Sequence, residues 1–120
     1  MDAYNFLSID ELCAIISYNL KVMEIIIESP RETIIGLARK IGYRPMGVSD
    51  DEYNMVRPLS RNGYPRFHIY AKKNERGDFV FNLHLDQKSS SYHGSTAHSG
   101  EYEGDLVERE AERIQNIIRN

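Results

Sequence analysis

The chain has 120 residues and a formal net charge of -3, enough for one modest hydrophobic core and too acidic overall to attract nucleic acid without a local basic patch. Its single cysteine, Cys13, excludes an intramolecular disulfide and a zinc site built on several thiolates, and suits a reducing cytoplasm. With 41% hydrophobic and 28% charged residues and no unbroken apolar run of roughly 20 residues, the chain reads as one soluble domain over 1–120, without a membrane span.

The opening MDAYNFLSIDELC carries acid where a secretory leader carries base, so no targeting peptide is expected. Ser8 and Glu11 then fit a capping box, the serine hydroxyl accepting from the third helical amide and the glutamate reaching back to the cap. This predicts an extra N-terminal helix within 1–28, running from about Ile9 to Glu28. Leu12, Ile15, Ile16, Leu20, Met23, Ile26 and Ile27 form its stripe, and Cys13, Val22 and Ile25 widen it beyond what a surface helix shows. Such a helix needs cover on more than one side. Enclosure in a monomer and pairing with a second copy as a homodimer both supply it.

Ser29, Pro30, Arg31 and Glu32 read as a second capping box with proline at the first helical position. The helix it starts should end at Gly42 and bury Ile34, Ile35, Leu37, Ala38 and Ile41. Strands follow. Asn62-Gly63 is a strong hairpin signal, and as a two-residue loop it would pair a strand near Tyr53 to Pro58 with the next one and set Arg57 beside His68. Pro58, with no N–H for a ladder, makes that first strand an edge.

Asn74-Glu75-Arg76-Gly77 fits a type I turn closed by a left-handed glycine, with Asn74 opposite Asp78. The register then sets Phe67 against Leu85, Ile69 against Leu83 and Ala71 against Phe81 on an apolar face. On the polar face His68 opposes His84, Tyr70 opposes Asn82 and Arg66 opposes Asp86. A Ser/Gly/His-rich loop over 87–104 carries His93 and His98, and a last helix begins near Asp105 with Val107, Ala111, Ile114 and Ile118 at helical spacing. The expected fold is α+β in the order α-α-β-β-β-α, a three-stranded antiparallel sheet with helices packed on one face.

The polar face carries the candidate chemistry. Arg57, Arg61, Arg66, Lys72 and Lys73 offer a local basic stripe with Tyr70 available for base stacking, so RNA is a candidate partner, with Arg57, Arg66, Tyr70 and Lys72 as its contacts. Antiparallel sheets also simply leave one face to solvent. A different class of reading is hydrolytic. His84 and Asp86 share a strand face, and His93 or His98 folding back would complete a site for zinc or another divalent metal. Without metal, His68 and His84 form an acid–base pair, because histidine titrates near neutrality. Phosphate-binding loops, dinucleotide fingerprints and nucleophile elbows are absent from the sequence.

The order helix, strand, strand, strand, helix, with Phe67-His68-Ile69-Tyr70 and Phe79-Val80-Phe81-Asn82-Leu83-His84, resembles the HicA or YcfA family of small RNA-cleaving toxins, over about Glu32 to Ile118. That resemblance implies a double-stranded-RNA-binding-like fold and an RNA partner. His84 matches the histidine closing the family's third strand. The family's glycine-serine-histidine motif places its catalytic histidine at Phe67, one residue before His68. The chain is thus expected to be a small cytoplasmic binding domain without a cofactor that contacts RNA through its sheet. The alternative is a hydrolase built on His84, Asp86, His93 and His98.

Overall fold

A computed structural model describes residues 22–87 and 99–120. Its elements are β1 (Val22–Ile27), α1 (Ile34–Ile41), β2 (Arg44–Ser49), β3 (Glu52–Pro58), β4 (Arg66–Lys73), β5 (Phe79–Asp86) and α2 (Ser99–Arg119). The strands form one five-stranded antiparallel sheet in the order β1-β5-β4-β3-β2. This corrects the expected three-stranded sheet and the α-α-β-β-β-α order: two more strands flank the predicted three, one at each edge.

The first correction is β1. Val22 to Ile27 lies in a strand, so the helix expected up to Glu28 does not extend through these residues; its earlier part, with Leu12 to Leu20, lies outside the described residues. Three consecutive isoleucines, stiff at χ1, favour a pleated surface. Met23, Ile25 and Ile27 turn to the core while Val22, Glu24 and Ile26 turn away, a period of two. The excess width of the supposed helical stripe was the trace of this change of period.

Next, α1 starts later than its supposed capping box. Ser29 adopts a left-handed backbone at φ 46° and donates its N–H to Asp78 Oδ1 at 3.0 Å, so it belongs to a turn tied to the β4–β5 hairpin. Thr33 is the actual cap, its hydroxyl accepting from Gly36 N at 2.9 Å. Ile34, Leu37, Ala38 and Ile41 are buried at i, i+3, i+4 and i+7, with Ile35 half-buried. The helix ends at Gly42 as expected, with φ 87° and the closing bonds Gly42 N to Arg39 O and Tyr43 N to Ala38 O.

The register of β4 with β5 is the predicted one: Phe67 pairs with Leu85, Ile69 with Leu83, Ala71 with Phe81 and His68 with His84. Its turn is also as read, Gly77 N bonding Asn74 O at 3.0 Å with Gly77 at φ 86°. The β3–β4 pairing differs by one residue. The loop spans residues 59–65, with Gly63 N bonding Ser60 O and Leu59 N bonding Pro65 O, so Asn62-Gly63 closes a turn inside a longer loop. Val56 therefore faces His68, and Arg57 faces Phe67. A one-residue slip exchanges the faces. Nor is β3 an edge, because β2 pairs along its other side through a two-residue turn, Asp50 and Asp51, both at positive φ.

One face of the sheet and the two helices enclose the core, in which Ile41, Met55, Ile69, Phe81, Leu83, Val107 and Ile114 are fully buried. Each such large side chain contributes about 1.5–3 kcal/mol relative to exposure. α2 begins at Ser99, six residues before the expected Asp105, so the predicted loop over 87–104 gives way to helix at its end. No helix among the described residues is long and apolar enough to cross a membrane.

Candidate functional site

The strand alternation that buries Phe67 and Ile69 sends Arg66, His68, Tyr70 and Lys72 of β4 to the opposite face, which carries neither α1 nor α2. There Asn54 of β3, His84 and Asp86 of β5 join them, since register partners share a face. His68 is the centre of the group. It is 8% exposed, and both of its ring nitrogens are engaged: Nδ1 lies 2.9 Å from Asp86 Oδ2, and Nε2 lies 2.6 Å from Asn54 Oδ1. Arg66 Nε donates to the same Asp86 oxygen at 3.2 Å. One carboxylate thus holds an imidazole and a guanidinium in place, a charge-assisted arrangement that fixes both.

Aromatic contacts extend this network across the face. Tyr70 stacks on His68 with ring centroids 4.3 Å apart, and meets His84 edge-on at 5.3 Å. Arg66 lies over the ring of Tyr64, 4.7 Å from its centroid. A shallow depression of about 210 Å³ lies alongside, lined by Met46, Gly47, Asn54, Val56, Arg66 and His68. His84 is held below its usual value near 6.5, first by burial and then by His68, with Asp86 opposing.

The sequence-predicted residues divide clearly. Arg66, Tyr70 and Lys72 share the face opposite α1 and α2. Arg57 does not: its guanidinium donates to Glu110 Oε1 at 3.1 Å on the helix-covered side. Of the metal ligands considered, His84 and Asp86 share a face, but Asp86 is committed to Arg66 and His68, and His93 and His98 lie outside the described residues. Among the described residues no cluster of three or more histidine, cysteine, aspartate or glutamate groups converges to hold a metal ion. For acid–base work His68 would first have to release one of its two partners, whereas His84 makes no hydrogen bond to the described residues.

Sequence reasoning missed Asn54, and it missed a second polar cluster under the helices. Glu110 is 4% exposed and accepts from Tyr43 Oη at 2.6 Å, from Arg57, and from Arg113 Nε and Nη2 at 2.8 and 2.9 Å. Arg113 also donates to Ile41 O at 2.6 Å, so one guanidinium ties α2 to the end of α1. Burial first, and then Glu110, push the Tyr43 hydroxyl far above the usual phenol range, while hydrogen bonding to Glu110 raises Arg113. A signal existed in the sequence: Glu110 falls on the apolar stripe of Val107, Ala111 and Ile114, where a charge needs partners. With all its oxygens occupied, this cluster is a clamp between elements.

No family model, no curated protein and no solved structure matches this chain.

Proposed function

We propose that this chain is a small RNA-binding domain that takes single-stranded RNA on the face of its sheet opposite α1 and α2. The observation that carries the reading is the row of rings along that face, Tyr64 beneath Arg66, then Tyr70 in contact with both His68 and His84. Single-stranded RNA is recognised by unstacked bases lying on aromatic and guanidinium planes, with cations tracking the phosphates. Tyr70 supplies a stacking surface that His68 holds in orientation. Arg66, exposed Lys72 and exposed Arg44, whose register partner Val56 shares the face, supply the cations. Since the whole chain is acidic, binding depends on these few groups and is modest and salt-sensitive.

The substrate class is also the one implied by the resemblance to HicA or YcfA toxins. The proposal is binding and not cleavage. The position of that family's motif histidine holds Phe67, a core residue 3% exposed, and His68 has both nitrogens occupied. Fluorescence anisotropy with a labelled mixed-sequence single-stranded RNA at about 50 mM salt tests the reading. Saturable binding that weakens with added salt, with the RNA intact afterwards, is the expected result; no binding at that salt overturns it.

A further inference from the structure

β1 and β2 form the two edges of the sheet, and they are built differently. β2 carries Pro45, which has no N–H to offer, a register shift between Pro45 and Gly47, and the charge of Arg44. These are devices that keep an edge from pairing. β1 has neither the proline nor the register shift: its six residues run in unbroken register along β5, without proline, glycine, lysine or arginine, and Glu24 is its one charge. Among the described residues no strand pairs with its outer side, and Val22 and Ile26 on it are 38% and 52% exposed.

We infer that β1 is a self-association edge, which pairs antiparallel with β1 of a second copy to continue the sheet across a twofold axis. The strand's own residues select both the partner and the register. Opposed residues must share a face, so Met23, Ile25 and Ile27 oppose one another, and Val22, Glu24 and Ile26 do likewise. Centring the pair on Glu24 sets that carboxylate against its own copy, and centring it on Ile26 sets Glu24 against Glu28. Centring it on Ile25 sets Met23 against Ile27, Glu24 against Ile26 and Val22 against Glu28, with no like charges opposed. In this register the core-facing isoleucines of the two copies form one continuous apolar surface. The interface lies at the sheet edge, away from β4, and does not rest on the RNA reading.

Sedimentation velocity on the full chain across low to high micromolar concentration tests the inference. The expected mass is twice the 13.9 kDa of one chain. Ile26→Glu opposes a carboxylate to Glu24 twice in the dimer and should weaken it by roughly tenfold or more. Adding Glu24→Lys in the same chain should restore it, because each lysine then faces the introduced acid. Both positions are exposed, so circular dichroism should show all variants folded. A wild-type chain that stays at 13.9 kDa up to about 100 μM overturns the inference, as does a dimer indifferent to Ile26→Glu or a double variant that fails to recover. A monomer whose β1 amides pointing away from β5 resist hydrogen exchange assigns the edge to residues preceding Val22 of the same chain, and likewise overturns it.

Discussion

Arg57 Nη1 lies 3.1 Å from Glu110 Oε1, on the face of the sheet that carries the helices, while Arg66 of the neighbouring strand lies on the other face beside Asp86. Two arginines on adjacent strands thus do different work. Replacing each by alanine separates them: Arg66→Ala should weaken RNA binding and lower the salt slope by roughly 0.7 per lost phosphate contact. Arg57→Ala should leave the slope unchanged and lower the denaturation midpoint. Equal effects of the two on binding would contradict the assignment.

Tyr70 is the stacking residue of the proposed platform. A base stacked on an aromatic ring is worth about 1–3 kcal/mol, so Tyr70→Ala should reduce affinity for single-stranded RNA roughly 5- to 150-fold, measured by anisotropy at fixed salt. Tyr70→Phe keeps the ring and should retain most of the affinity. A variant lacking the ring that binds like the wild type removes Tyr70 from the interface.

The buried clamp on Glu110 predicts a stability effect without a binding effect. Removing one partner of a buried charge network leaves the others uncompensated, at a cost of about 3–5 kcal/mol. Glu110→Ala strands Arg57, Arg113 and Tyr43 together, and urea unfolding should show a loss of this size. A loss under about 1 kcal/mol would mean that solvent reaches the cluster freely.

His84 predicts the acid side of the stability profile. Its folded value lies below the usual 6.5, so the unfolded chain binds a proton more readily than the folded one. The neutral ring is fully accommodated above about pH 6.5, and stability is lost as pH falls from there through the folded value. Denaturation midpoints measured across this range should fall less steeply for His84→Gln. An NMR titration placing His84 above 6.5 would reverse the sign and contradict the burial that causes it.

How far the sequence could be read depended on local chemistry. The β4–β5 hairpin was legible because Asn74 and Gly77 dictate the turn and the alternation on both sides admits one register. The β3–β4 register was not, because Asn62-Gly63 sits within a loop spanning 59–65, and a one-residue slip moved Arg57 to the wrong face. β2 was hidden by Pro45 and Gly47, residues that weaken a strand, and by an Asp50-Asp51 turn carrying no glycine. β1 was hidden because a run that is apolar at every position but Glu24 fits both periods. Of the candidate site, Arg66, His68, Tyr70, Lys72, His84 and Asp86 were placed on one face from sequence, whereas Asn54 and the Glu110 clamp emerge only once distant elements pack.

Binding of single-stranded RNA on the face opposite α1 and α2 is tested most directly by NMR titration of the full chain with an unlabelled single-stranded oligomer, following side-chain signals on both layers. The rings of Tyr70 and His84 and the side chains of Arg66 and Lys72 should shift together, while the methyls of Val107 and Ile114 stay in place. Shifts confined to α1 and α2, or none at saturating RNA and about 50 mM salt, would contradict it.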